Sequence, residues 1–515
     1  MRPTRAVYSQ DSDHLLVIYA VIAIAAAVVA LIGIGLEIPK LAYVIPAAMQ
    51  AAPAILSTLR FLVLKRNLDH WIAFGGCFIF FHLQLLSPPY WAEFDQQMAN
   101  YSTLARALST VGVHLFPVAL IGVVHGFFSF WPSRQRWWPE QVGEPSYQRR
   151  LFIGFLVVFA LSAIPQVLYG QVVVGAIRQI IYMRAGVTQT GEVYYSNFSG
   201  EGASASLINL QHFSTSLVLL SVLLWRSRYR QIVRALFPFS VIWTAANVLS
   251  GTRTQLLLFA VALVVIYLAD PKRKISIRAA VLLPLGVFFL SQVAAQFRDI
   301  GIREISWDEL KQNFGRLQGL ETLHDQTRAL DLFIEGYRSP WSTGFAPVDC
   351  LIGLVYRPIE FCLFVVPRSV FPWKPLDPTF VDLNRLVISS MSLNPDESYW
   401  GLTAGIIGRD TLRWGPLGGL VALFWLGFLV YTAERSYRGG QHCLDNRILA
   451  GAIAGSCMAM YRDLTPLWCL QMFPAVFTIL YARGALPRMP NGLLLRTRSR
   501  EHLLARELPH VRAQP

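Results

Sequence analysis

The chain has 515 residues, of which 54% are hydrophobic and 15% charged, and a formal net charge of +14. Soluble domains carry about 25% charged residues, so the composition excludes an ordinary water-soluble enzyme. The charge does not read as a nucleic-acid surface either, because the basic residues sit in short clusters between long apolar runs.

Those runs predict helices over 14–36, 41–64, 70–87, 103–130, 151–181, 206–225, 231–249, 252–269, 276–297, 413–433, 447–462 and 464–482, twelve in all. Backbone groups in lipid must find partners within their own segment, so apolar runs of this length fold as helices. None shows the alternation of a membrane barrel. The expectation is an all-α polytopic membrane protein, one integral domain over 1–515 with no internal repeat. The first run is too long for a signal-peptide core. The fifth, at 31 residues, would measure about 46 Å against a hydrocarbon core of about 30 Å, so a tilt, a kink near Pro165 or a projection is expected.

Charge sets the expected orientation. With the N-terminus inside, the basic clusters all fall on the cytoplasmic side: Lys65 and Arg66; Arg134, Arg136, Arg149 and Arg150; Arg226, Arg228, Arg230 and Arg234; Lys272, Arg273, Lys274 and Arg278. This is the positive-inside pattern. An even helix count puts the C-terminus inside too, where the basic tail 483–515 would lie on anionic lipid. The six cysteines are scattered with no metal spacing, so neither a disulfide framework nor a zinc site is expected. Cys350 and Cys362 share a loop without being assigned as a pair.

The gap between the ninth and tenth helices, 298–412, becomes a large late outer loop. Loops of that length are usually functional and carry structure of their own. Ser306 to Glu309 fits a capping box, and a helix is expected over 326–335, ending at Gly336. The run 349–366 is apolar but interrupted by Arg357, Pro358 and Glu360, which reads as interfacial or re-entrant.

Arginine dominates this loop, and its planar donors suit phosphate oxygens. Two basic positions stand out. Arg253, in SGTRTQ, opens the eighth helix at its outer end, where backbone amides favour an anion. Arg368 and Lys374 flank Trp373 in VPRSVFPWKPLDP (366–378). The prolines of that elbow restrict the backbone and lower the cost of ordering its cations. Trp373 could stack on a sugar face. Arg298, Arg303 and Arg409 are further cations. Candidate bases are His324, the one histidine of the loop, and the carboxylates Asp396, Glu397 and Asp410. No Walker A loop, GxSxG elbow or HExxH is present, so no metal and no cofactor is expected.

The order of these features resembles the bacterial O-antigen polymerases, the Wzy-type oligosaccharide repeat-unit polymerases. Carrying the resemblance are Gly251-Thr252-Arg253, the stretch LFIEGYRSPWSTGFAPVDCL (332–351), the elbow from Pro367 to Pro375, and GLTAGIIGRDTLRWGPLGGL (401–420). It covers about 240–430. One departure is that Arg409, not an acid, follows Gly408, which weakens an acidic role at that position. The resemblance implies a metal-independent glycosyltransferase that polymerises undecaprenyl-diphosphate-linked units on the outer face of a bacterial inner membrane. The product would be O-antigen, capsule or exopolysaccharide. It implies a chain-length regulator as a partner, besides membrane lipid, and no nucleic acid. Arg253, Arg368 and Lys374 would stabilise the departing diphosphate, with Arg298, Arg303, Trp373 and Arg409 as binding residues. The rival expectations are an O-antigen ligase-like transferase, for which His324 would supply the outer histidine, and a polysaccharide or lipid transporter without chemistry.

Overall fold

The computed structural model describes residues 11–131, 144–168, 210–249, 253–280, most of 322–364, 405–440, 443–461 and 471–484, with a few isolated positions besides. These residues form helices joined by turns, and no strand occurs among them. The fold is all-α.

The first helices follow the hydropathy closely. α1 covers Asp11–Gly35 and α2 Ile45–Leu64, the latter entered through a π-helical turn at Lys40–Val44. On α1 the large residues Val17, Val21, Ile24, Val28 and Leu31 are exposed, while Tyr19, Ala23, Ala26 and Ala30 are buried. Tyr19 apart, large apolar groups outside and small ones inside invert the pattern of a soluble helix. That arrangement suits a lipid-facing helix whose backbone packs closely on its neighbours.

The third predicted helix, 70–87, departs from regular geometry. It starts as a short turn, α3 (Leu68–His70), continues as π-helical turns at Trp71–Gly75 and Phe78–His82, and ends in a 3-10 turn at Leu83–Leu86. The Tyr461 hydroxyl donates to the Ala73 carbonyl across 3.1 Å. The outer loop expected over 88–102 contains an unforeseen helix, α4 (Pro88–Met98), with prolines in its first turn. α5 covers Thr103–Phe130, as expected. α6 covers Pro145–Leu168, and the rest of the predicted fifth span lies outside the described residues. Next come α7 (Ser214–Leu224), α8 (Arg230–Leu249) and α9 (Arg253–Leu268).

In the stretch expected to be the late outer loop, α10 covers Thr322–Ile334, a turn longer at its start than expected, and Gly336 just beyond it adopts φ +102°. α11 runs unbroken over Ala346–Phe364 despite Pro358. The charges that interrupt the apolar run 349–366 do not interrupt the helix: Arg357 and Glu360 are buried on one face, while Val348, Leu351, Val355 and Ile359 are exposed on the other. The charges therefore point into the protein instead of breaking the helix. A helix not expected, α12 (Gly405–Trp414), precedes the predicted 413–433 helix, which is α13 (Gly418–Gly439). Gly415, at φ +76°, makes the turn between them. A Cβ at Gly418 would fall on the Asp410 carbonyl. α14 (Leu444–Met460) and α15 (Phe473–Ala482) complete the described chain. The Ser306–Glu309 capping box and most of 276–297 lie outside the described residues.

One continuous apolar core joins α1, α2, α5, α9, α13 and α14, with α6, α7, α8 and α15 beside them. Among the described residues, four helical stretches are long and apolar enough to cross a membrane: His14–Gly35, Lys40–Leu64, Thr103–Phe130 and Pro145–Ile164. Shorter apolar helices are Ser214–Leu224, Leu257–Leu268 and Phe473–Ala482. Cys77, Cys350, Cys443 and Cys457 are free thiols.

Loops expected to share a side do meet. The Lys65 ammonium donates to the Asp270 carbonyl at 2.7 Å, Arg447 pairs with Asp270 at 2.8 Å, and Arg483 pairs with Asp445. Arg150 donates to the Ala482 carbonyl. One end of the bundle is therefore basic. At the other end, α10, α11 and α12 form a layer over α5 and α13.

Candidate functional site: a buried arginine layer at the loop end

Every residue of α12 from Gly405 to Trp414 is buried except Ile407, which is half-buried. It passes close against α10, where a Cβ on Gly408 would meet Ala329 and the Gln326 backbone. With no face left for water, its charged residues must find partners in the protein. Arg409 and Arg413 lie one turn apart, and Asp410 lies three residues before Arg413.

α11 supplies the counterparts. Arg357 and Glu360 lie three residues apart on its inner face. Arg357 Nη1 donates to Glu360 Oε2 at 2.8 Å, and Arg413 Nη1 donates to Glu360 Oε1 at 2.8 Å. Glu360 thus bridges two guanidinium groups. Asp410 pairs with Arg357 through Nη2. Arg357 and Asp410 are completely buried and Arg413 is nearly so. Buried charge of this kind holds only with full pairing and hydrogen bonding.

Three aromatic rings close the network. The Arg413 guanidinium carbon lies 5.4 Å from the Trp341 ring, 5.1 Å from Tyr356 and 4.9 Å from Trp414. These are cation–π distances. Asp349 fixes the Trp341 loop: it accepts from the Ser342 hydroxyl at 2.7 Å and from the Thr343 amide and hydroxyl at 2.6 Å each. Burial pushes the Asp349 carboxyl up, but these donors outweigh it and hold the group below the usual carboxylate range.

α10 docks beside this network on α5. Ser102 caps α5 by accepting from the Ala105 amide at 3.2 Å, and its own amide donates to Asp331 at 3.1 Å. Ser109 and Thr327 share a hydrogen bond of 2.6 Å. His324 Nε2 lies 2.9 Å from the Tyr101 hydroxyl, and its Nδ1 lies 3.6 Å from Asp325. Burial pushes the Tyr101 phenol up, so it stays neutral and can either donate to the imidazole or accept from it. His324 is thus an oriented group, not a solvated one.

Of the sequence candidates, Arg409 and Asp410 come together on α12, and the helix bearing His324 packs against theirs. Arg253 is the first residue of α9, as its sequence position implies. Arg298, Arg303, Arg368, Trp373, Lys374, Asp396 and Glu397 lie outside the described residues. The sequence reading did not single out Arg357, Glu360, Arg413, Trp341, Tyr356, Trp414 or Tyr101. The available signal was spacing: Arg357 to Glu360 and Arg409 to Arg413 are helical neighbours in an otherwise apolar setting.

Compared with protein-family models, curated proteins and solved structures, the chain gives no match.

Proposed function

We propose that the chain is a membrane glycosyltransferase of the O-antigen polymerase type, with about twelve transmembrane helices. It would join undecaprenyl-diphosphate-linked oligosaccharide units on the outer face of a bacterial inner membrane, with both termini cytoplasmic. The observation that carries this reading is the folded layer of α10–α12. A late loop of a membrane protein has there become a compact arginine, carboxylate and aromatic network. The proline elbow leaves α11 almost directly after its last residue, Phe364, and the chain re-enters the layer at Gly405. Both ends of the elbow segment therefore attach to helices of the layer, which suits a site that must hold cations in place.

In the proposed reaction a hydroxyl oxygen of the incoming unit attacks C1 of the sugar carrying the growing chain. The C1–O bond to the lipid diphosphate breaks, and the hydroxyl proton passes to a base. The diphosphate takes the bonding pair, and Arg253, Arg368 and Lys374 stabilise the charge as it develops. The donor already holds the bond energy, so no nucleotide is needed. Arg298, Arg303 and Trp373 would hold the substrate. Arg409 and Asp410 shape the layer beneath it. Asp410 is already engaged as the counter-ion of Arg357. His324, Asp396 and Glu397 remain the base candidates. A chain-length regulator is the expected protein partner.

His324, held by Tyr101, would equally serve the ligase-like alternative. The test separates the classes. Arg368→Ala, at unchanged protein level, should abolish long surface chains while single-unit products persist. Loss of every capped product points to a ligase, and units trapped inside point to a transporter. Normal chain lengths overturn the diphosphate role of the elbow.

A further inference from the structure

The basic end of the bundle, remote from the arginine layer, carries a second cluster. We propose that Asp69, His70 and His125 bind a divalent first-row transition metal ion there. Asp69 and His70 form the α3 turn, and His125 lies near the end of α5. A carboxylate oxygen and one nitrogen from each imidazole all lie within 4.8 Å of one another. A tetrahedral ion wants such atoms roughly 3.3 Å apart, so small side-chain rotations complete the site.

Burial and chemistry support an ion more than a simple hydrogen-bonded cluster. Asp69 is 0% exposed; one of its oxygens accepts from the His70 amide at 2.9 Å, and the other, Oδ2, has no hydrogen-bond partner among the described residues. A dry carboxylate oxygen without a donor is unfavourable. A second buried carboxylate, Glu434 of α13, lies against the backbone amides of Leu68 and Asp69. Arg438 answers Glu434 at 2.7 Å from its Nε, and Arg60 also faces His70. A bound dication would neutralise Asp69 directly and ease its proximity to Glu434. Two imidazoles with one or two carboxylates are a donor set for zinc and related ions.

The local backbone points to the same place. Asn67 takes a left-handed conformation, φ +61°, just before the cluster, and the π-helical turn Trp71–Gly75 begins just after His70. π-Helical insertions concentrate at functional sites. Tyr19, edge-on at 5.9 Å, packs against the His70 ring and limits its orientation. The sequence expectation of no metal rested on spacing along the chain, whereas these ligands are assembled only by the fold. The site lies at the opposite end of α5 from the proposed transferase chemistry and does not depend on it.

The experiment uses the full chain, purified with a non-histidine tag, stripped by chelator, and titrated with Zn²⁺ and with Co²⁺. The expected result is one equivalent bound, visible d–d bands for Co²⁺, and a higher unfolding temperature with metal. His125→Gln should weaken Zn²⁺ binding by at least about 100-fold, while His114→Gln should bind as wild type. Asp69→Asn should also lose the metal, yet raise the unfolding temperature of the stripped protein by removing a buried charge. Equal Zn²⁺ affinity in wild type and His125→Gln overturns the proposal. So does an Asp69→Asn protein less stable than stripped wild type combined with no gain from Zn²⁺ in the wild type.

Discussion

Replacing Glu360 with alanine tests the arginine layer most directly. Glu360 joins two buried guanidiniums, Arg357 on its own helix and Arg413 on α12, each at 2.8 Å. Breaking a buried pair by removing one partner costs about 3–5 kcal/mol, because the remaining charge is stranded. Arg357 keeps Asp410, and Arg413 keeps its aromatic ring contacts, worth about 0.5–2 kcal/mol. The low end, roughly 3 kcal/mol, is therefore expected. Arg413→Ala should cost a similar amount, and the double variant should be much less damaging than the sum, because removing both partners strands neither charge and Arg357 still has Asp410. The assay is equilibrium unfolding of the purified protein in mixed micelles, with the double-mutant cycle giving the coupling. Losses of less than about 0.5 kcal/mol, with additive effects, would show that the ion network contributes nothing to the layer.

Other outcomes follow from single contacts. Gly418→Ala should destabilise by about 1–3 kcal/mol through overpacking on the Asp410 carbonyl, read as a lower unfolding temperature; an unchanged temperature means the α12–α13 turn is looser than it stands. Asp349, whose folded carboxyl lies below its usual range, contributes stability that is present above the unfolded carboxylate value and is lost as pH falls through the folded one. Limited proteolysis at 341–346 should accordingly rise on acidification in wild type, and Asp349→Asn should be cut readily with a flatter pH dependence. His324→Ala should shorten surface chains severely if the imidazole is the base, and Tyr101→Phe more mildly. Wild-type chain lengths in His324→Ala would pass the base role to Asp396 or Glu397.

Legibility followed the range of the interactions. α1, α2, α5, α8 and α9 were readable to within a few residues, because hydropathy over about 20 residues reports lipid exposure directly. The α10 stop at Gly336 was readable from local backbone chemistry. α4 was missed because Tyr90, Trp91, Glu93 and Asp95 look like a polar loop. α11 was read as interfacial or re-entrant because Arg357, Pro358 and Glu360 interrupt its apolar run. They are accommodated because α12 brings Arg413 and Asp410 to meet them, a contact across some fifty residues that no local pattern encodes. His324 was readable only as a lone histidine; its Tyr101 partner comes from an element more than two hundred residues away. Spacing failed for the Asp69, His70 and His125 cluster for the same reason.

The two polar assemblies share their supports. α5 carries Ser102 and Ser109 against the α10 layer at one end and His125 at the other. α13 starts beneath Asp410 and reaches Glu434 beside Asp69. An ion drawing His125 toward Asp69 would fix the end of α5 against the α3 turn. Since α5 also packs along α13, the spacing of these two helices beneath the arginine layer would be constrained too. Rigid helices with packed interfaces can carry such a bias over their length, and any coupling of this kind is reciprocal. The consequence is measurable at the far end. Zn²⁺ should reduce proteolysis at the Trp341 loop in wild type but not in His125→Gln. If Zn²⁺ stabilises the protein while leaving that loop's cleavage unchanged, the metal acts only on the basic end, and the layer is held by its own ion pairs.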